Sequence, residues 1–346
     1  MGVTGLWNAL APAATTEHLL ELAVRDGFEV NNGRAFRLGI DMSYVLYTYV
    51  NTGQNAVLQG FFWRLSHLLS LPVAAIFMFD GPNRPIVKRG KTVRGTPHWM
   101  TSGAQSLIEA FGFQHITAAG EAEAELASMN AAGVIDAVVT TDSDAFVFGA
   151  VTVIPTWKLK EDKGMVKIYN ALNICEKVDE HFTRDGFILY ALLAGGDYDK
   201  GLKSCGAATA LGVVKYGLGV SLCKATSSLD SNASLTAWRA ELCHVLKTDP
   251  QQLIGGLRPA AASYIGNMFP KTQVLEAYQR PLSLSSAALA PPEPELAVPS
   301  LARIAELCER YFEWGKHETI SVKLAKHVWP GIVLRMVLSD ILDADR

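Results

Sequence analysis

The sequence predicts an α/β domain with a mostly parallel central sheet, followed by a helical region. Three apolar stretches with strand character, residues 37–41 (RLGID), 72–80 (PVAAIFMFD) and 134–142 (VIDAVVTTD), alternate with segments of helical spacing. Parallel strands need helical crossovers between them, and this alternation supplies them. From about residue 185 the strand patterns stop and glycine-punctuated helical patterns take over.

The elements follow in order. RLGID reads as a short buried strand ending at Asp41. Leu58, Phe61, Phe62, Leu65 and Leu69 recur at helical spacing and predict a helix near 55–70. PVAAIFMFD is a second strand, ending at Asp80. The basic segment GPNRPIVKRGKTVRG, with Arg84, Lys88, Arg89, Lys91 and Arg94, reads as a loop. A helix around 102–112 and a short segment, FQHITAA, lead to GEAEAELASMNAAG, a helix with a glycine stop. The third strand runs to Asp142 and Asp144. Beyond it, FILYALLAGGDYDKGLKSCGAATALGVVKYGLG reads as helix, glycine turn, helix. Residues 281–300, rich in Pro, Ala and Ser, read as an irregular linker, and a last helical pair follows.

Composition narrows the class. The 346 residues, 49% of them hydrophobic, fit roughly two structural units. A net charge of −3 and a pI near 6.3 give no bulk signal for nucleic acid. Five cysteines without a CxxC pair suggest neither a disulfide framework nor a zinc site, and fit a reducing, intracellular compartment. The histidines show no HxxxH or HxH spacing. MGVTGLW lacks the pattern of a secretory signal, and no apolar run approaches ~18 residues, so no membrane partner is expected. Trp7, Trp63 and Trp99 read as packing residues.

The acids carry the chemistry. In an open parallel sheet, ligands bind outside the carboxyl ends of the strands, so Asp41, Asp80, Asp142 and Asp144 should gather at one edge. Glu121 and Glu123, taken alone, read as the acidic first turn of a helix. That helix precedes the third strand, however, and an antiparallel crossing puts its N-terminus over the same edge. Asp197, in GGDYD, can close the group. So many like charges raise one another's pKa unless a cation compensates. Oxygen-only donors suit hard cations such as Mg²⁺ or Mn²⁺, and two such ions can clamp a phosphodiester during hydrolysis. The basic stretch 84–94 reads as a phosphate path, with a solvated loop as the plainer alternative.

In order, MGVTGLW, IDMSYVLY, FMFDGPNRPIVKRGK, GEAEAELA, VVTTDSDAFVFG and LLAGGDYDKGLKSCG resemble the motifs of the XPG/flap-endonuclease family of structure-specific DNA nucleases. The resemblance implies a PIN-like nuclease core over residues 1–195 and a helix–two-turn–helix DNA-binding region over 196–280. The linker 281–300 and a C-terminal helical segment, 301–346, complete the chain. It implies two Mg²⁺ ions, replaceable by Mn²⁺, on Asp41, Asp80, Glu121, Glu123, Asp142, Asp144 and Asp197. Lys88, with Lys91 and Arg94, would neutralise the scissile phosphate as catalytic residues. Gly2, Tyr47, Arg84, Arg89, Gly201, Ser204 and Gly206 would contact DNA, and K⁺ would sit at the helix–two-turn–helix.

Within the family the sequence is most similar to fungal Holliday-junction resolvases, on FDGPNRPIVKRGK, LCERYFEWG and VWPGI. About 40 residues separate Asp80 from Glu121, too few for the long arch through which a flap enzyme threads a free end. The resemblance therefore implies cutting of branched or junction DNA, in the nucleus, by a chain that is a monomer in solution and a dimer on a four-way junction. The alternatives are a 5′-flap or gap nuclease and a non-cutting scaffold. A chromodomain usually follows the core of such resolvases; the sequence stops at Arg346, so the module is absent or the chain is part of a longer one. The glycine turn departs from the family pattern: GLKSCGAATA has Ser204 in place of a glycine, and a serine where φ > 0 is needed carries strain.

Overall fold

The computed structural model describes residues 2–344 except 32, 48–53, 89, 93–97, 157–161, 229, 285–291, 313 and 315–316. Its strands are β1 (Thr15–His18), β2 (Phe36–Asp41), β3 (Val73–Phe79), β4 (Val87–Lys88), β5 (Lys91–Thr92), β6 (Gln114–Thr117), β7 (Ala137–Val139), β8 (Thr152–Ile154) and β9 (Met165–Asn170). Seven form one sheet in the order β1-β9-β8-β7-β2-β3-β6. The run from β8 to β6 is parallel throughout, and β9 is antiparallel to both β8 and β1. The sheet is thus mostly parallel, as the alternation predicts. Three expectations change. The third strand is only Ala137–Val139; past it the Thr140 side chain bonds Asp41 and Asp142, and the Thr141 carbonyl accepts from Trp7. FQHITAA contains the edge strand β6. The basic loop contains a hairpin, β4–β5, with Gly90 at φ 73° in its turn.

Side-chain alternation on the strands divides the core in two. Ile76 and Met78 of β3 and Val138 of β7 enter one apolar cluster, together with the helices after residue 184. Ala75, Phe77 and Phe79, with Leu38 and Ile40 of β2, enter the other. Helices Gln54–Leu69 and Leu301–Phe312 pack in that second cluster. The C-terminal helix Trp329–Ala344 is anchored there by buried Arg335, which donates to the Val73 carbonyl at 2.7 Å. The last helices therefore close over the first unit rather than trailing from it.

Two glycines let the acidic segments meet. Helix Ala122–Ala131 crosses β2 so closely that a Cβ on Gly39 would lie 2.4 Å from Ile135 and 2.5 Å from Leu126. Gly81, immediately after Asp80, donates its N–H to the Gly120 carbonyl at 2.7 Å. A Cβ there would lie 1.9 Å from the Ala118 carbonyl oxygen. These contacts dock the end of β3 against the segment that carries Glu121.

The helical region begins with Arg184–Ala194, turns through 195–206 and continues with Ala207–Val214. Gly195 and Gly201 take φ of 85° and 81° and touch each other's backbone. Ser204 is also left-handed, at φ 64°, which costs about 1 kcal/mol for a residue with a side chain. Replacing Gly81 by Ala drives a Cβ into the backbone of Ala118 and Ala119, which no rotamer relieves. Gly81→Ala should lower stability by about 1–3 kcal/mol, read as a lower urea midpoint at unchanged slope; an unchanged midpoint would show that this docking is not needed.

Candidate metal centre

The carboxyl ends of three adjacent strands deliver four aspartates. Asp41 is the last residue of β2, Asp80 follows β3, and Asp142 and Asp144 follow β7. Hydroxyl residues fix them. Asp41 accepts from the Ser43 N–H at 2.8 Å and from the Thr140 hydroxyl at 2.9 Å. Thr140 Oγ1 in turn accepts the Asp142 N–H at 3.0 Å, and Asp142 accepts the Asp144 N–H at 3.0 Å. Asp80 accepts from the Ser43 hydroxyl at 2.9 Å and pairs with Arg84 at 2.9 Å. Sequence reasoning missed Ser43 and Thr140. Their signal was a hydroxyl two residues from an aspartate in IDMS and TTD.

The glutamates of GEAEAELA part company. Glu121 is the N-cap of helix Ala122–Ala131, yet its side chain makes no capping bond. Asp80, from another strand, accepts the Ala122 N–H at 3.0 Å instead. The Glu121 carboxylate pairs with Lys88 and accepts from the Tyr198 hydroxyl. Glu123 is buried with the aspartates. Glu125, also buried, accepts the Leu284 N–H at 2.6 Å and so holds the linker. Lys88 also lies 3.5 Å from Asp197.

Electrostatics ties the acids into overlapping groups. Burial pushes Asp41 up to about 7, helped by Asp80 and Asp142. Burial, then Asp41, Asp142 and Asp80, push Glu123 well above the usual carboxylate range, against the pull of Lys88. Asp144 is likewise pushed up by burial, then by Asp142, Asp197 and Glu121. Asp142 is raised by burial and by Asp197, and belongs to both groups. Burial alone would lower the Lys88 ammonium, but Glu123, Glu121 and Asp197 hold it above its ordinary value.

Among the described residues, no three of these acids converge on one point as a finished coordination sphere. Lys88 and Arg84 are drawn in among them as counter-charges. The donor set nevertheless fits a hard divalent cation. It offers oxygen only, and Glu123 Oε2 and Asp144 Oδ1 are buried without a hydrogen-bond partner.

The other expected residues lie as follows. A Cβ on Gly2 would lie 2.1 Å from Asp142 Oδ1, so the N-terminal backbone borders the acids and leaves no room for a side chain. Trp7 packs on Phe146 and Tyr169 and donates to the Thr141 carbonyl at 3.0 Å. Trp63 packs against Phe62 and Trp314. Trp99 corrects the packing expectation: it is 57% exposed, on the rim of a cavity of about 570 Å³ that also includes Asp80 and Arg84. Gly206 starts helix Ala207–Val214 with open space where a Cβ would lie, and Lys203 stands 4.5 Å over the Tyr264 ring. Arg89 and Arg94, and the side chains of Tyr47 and Lys91, lie outside the described residues.

Comparison with known proteins places this geometry. The XPG I-region family model matches residues 112–197. Flap endonuclease GEN homolog 1 of Mus musculus is 28% identical over 246 residues, 64% of this chain and 26% of the relative. Single-strand DNA endonuclease 1 of Arabidopsis thaliana is 28% identical over 366 residues, 94% of this chain and 58% of the relative. The chain thus spans about a quarter of the mouse relative's length and just over half of the plant one's. The Holliday junction-resolving enzyme GEN1, solved with product DNA and Mg²⁺, superposes with a TM-score of 0.78 at 30% identity, over 97% of this chain and 80% of that one. The catalytic core of Rad2 with DNA substrate shares the fold, with a TM-score of 0.69 at 24% identity over 94% of this chain and 100% of that one.

The raised acids set a pH dependence. A carboxyl whose folded pKa lies above its unfolded value favours the fold while protonated, and that contribution is lost as pH rises through the folded pKa. For Asp41 the loss runs from about pH 4 to about 7, and Glu123 and Asp144, raised by burial in the same direction, add to it. Metal-free protein should therefore show a falling Tm between pH 5 and 8. Saturating Mg²⁺ should raise Tm most at pH 8, by the equivalent of about 2.7 kcal/mol at a hundredfold excess over Kd. A Tm that climbs with pH in chelator, unaffected by Mg²⁺, would contradict this electrostatic picture.

Proposed function

Since this chain belongs to the XPG/flap-endonuclease family of structure-specific nucleases, we propose that it is a divalent-metal-dependent endonuclease that cuts branched DNA, with the four-way junction as its principal substrate. The observation that carries the reading is the gathering of Asp41, Asp80, Glu121, Glu123, Asp142, Asp144 and Asp197 at one sheet edge with Lys88 among them. Retention of every acid argues against a non-cutting scaffold.

Asp41, Asp80, Glu123 and Asp142 would hold one Mg²⁺ or Mn²⁺, and Asp142, Asp144, Asp197 and Glu121 a second. When bound, such ions supply activation of the attacking water and charge on the leaving oxygen. The protein's own part is to fix and charge the site. Thr140 and Ser43 lock Asp41 and Asp80 in place, so the cluster is preorganised before DNA arrives. Lys88, already beside Glu121, is within a side-chain swing of a phosphate entering the cluster and would neutralise it there. Lys91 and Arg94 would extend the same basic path. Arg84 would serve DNA indirectly, since its present partner is Asp80. Gly2 and Tyr47 would border the cut strand, with Arg89 on the phosphate path. The turn with Gly201, Ser204 and Gly206 would present backbone N–H groups to the duplex, with K⁺ bound nearby; GEN-1 is known with potassium bound.

The preference for junctions rests on the segment between Asp80 and Thr101. Among its described residues the hairpin β4–β5 is the regular structure present, and no helical arch rises there. A four-way junction has no free end to thread, so a low hairpin suits it. The relatives named flap endonucleases favour the 5′-flap as a second reading. Each chain offers one site, and paired nicks need two, so two monomers would meet on the near two-fold symmetric junction. Action on chromosomal DNA would place the protein in the nucleus.

A labelled panel of four-way junctions, flaps and bubbles tests the reading. With Mg²⁺ the chain should nick junctions in pairs, two chains per junction by mass in Ca²⁺. Asp142→Ala should reduce cleavage by at least ~10³-fold with near-normal DNA binding, and Lys88→Ala should slow the chemical step more than it weakens affinity. Flap cutting with junctions ignored at every concentration would move the assignment to the flap reading, and a fully active Asp142→Ala would end the metal mechanism.

A further inference from the structure

Helix Thr272–Gln279 brings a phenol to the acids from outside every motif read in the sequence. Tyr278 is 1% exposed, its ring 4.8 Å from Tyr198 and 6.0 Å from Phe148 between centroids. Tyr198 follows Asp197 in the chain and donates to Glu121. Phe148 caps the helix Asp144–Val147. The ring is therefore wedged between the segments that carry Asp197 and Asp144. Its hydroxyl would lie 2.6 Å from a Cβ on Gly196, against the backbone just before Asp197. The carboxylates that act on it are, strongest first after burial itself, Asp144, Asp197, Glu121 and Asp142.

This hydroxyl is buried and has no hydrogen-bond partner, and the same holds for Asp144 Oδ1. A buried hydroxyl without a partner carries a desolvation cost, and phenylalanine would fill the same volume without it. Packing therefore does not account for a tyrosine here. Phe148, one turn after Asp144, packs on the Tyr278 ring, so the unpartnered donor and the unpartnered acceptor lie on packed segments, and a single water can join two such groups. Tyr198 differs, because its hydroxyl already has Glu121.

We infer that Tyr278 is a positioning residue of the metal centre, whose hydroxyl orients the Asp144 carboxylate through a bridging water so that the carboxylate faces the cation. This rests on the metal-centre reading above. Groups of this kind, which touch a ligand rather than the metal, commonly alter metal affinity by 10–100-fold when removed.

Tyr278→Phe deletes only the hydroxyl. Mn²⁺ titration by calorimetry, in the absence of DNA, should show wild-type binding and a variant about 10–100-fold weaker. The Tm of the metal-free variant should stay close to that of wild type, because the ring still fills the same buried volume. Cleavage by the variant should fall at low Mn²⁺ and recover at high Mn²⁺, with the KM for DNA unchanged. Unchanged Mn²⁺ affinity, whatever the Tm, would overturn the inference and leave Tyr278 a packing residue. Absence of Mn²⁺ binding to wild type would instead overturn the metal-centre reading, and this inference with it.

Discussion

Mutual repulsion among buried carboxylates is the constraint from which the rest of this structure follows. Asp41, Glu123, Asp142 and Asp144 are nearly out of water, and each lies in the field of others. Such a group is costly unless it is neutralised by protons or by cations. The fold meets part of that cost internally. Thr140 and Ser43 donate to the aspartates, the first N–H of helix Ala122–Ala131 is given to Asp80, and Lys88 and Arg84 stand among the acids. What remains, the unpartnered oxygens of Glu123 and Asp144, is what a divalent ion would satisfy. The same charge that draws in Lys88 would draw in the metal that leaves Lys88 available to a phosphate.

Holding the acids together is a task for backbone contacts as much as for side chains. Gly39 and Gly81 allow approaches at which a single methyl group would collide. Gly2 brings the start of the chain against Asp142. Elements distant in sequence therefore reach one sheet edge with little freedom to drift. Preorganisation of this kind is where a phosphoryl-transfer site gains most, since little covalent chemistry is left for the protein to do.

Much of this was legible in the sequence, for physical reasons. Long buried strands such as Val73–Phe79 give continuous apolar runs, and aspartates at their ends mark the binding edge of a parallel sheet. The short and edge strands were not legible. β1 and β6 offer four residues each with mixed exposure, and β8 only three, too few for a period to stand out. The hairpin β4–β5 was hidden because its strands are two residues each and lie among basic residues that mask the turn at Gly90. Ser43 and Thr140 were passed over because a hydroxyl gains meaning only when its aspartate partner is known to be adjacent. Tyr278 carried no signal at all: it lies 81 residues beyond Asp197 by number, and only the fold brings it to the site. The docking of the C-terminal helices through Arg335 was likewise invisible, since a buried arginine held by a strand carbonyl looks like any surface arginine in sequence.

The central claim is that these acids form one site for two hard cations sharing Asp142. Crystals grown with Mn²⁺ and measured at the manganese absorption edge test it most directly. The account predicts two anomalous peaks about 3.5–4 Å apart, both within the cluster, with Asp142 next to each and Lys88 withdrawn from Glu121. Peaks elsewhere on the molecule, or a cluster that stays free of manganese with Lys88 still paired to Glu121, would contradict it.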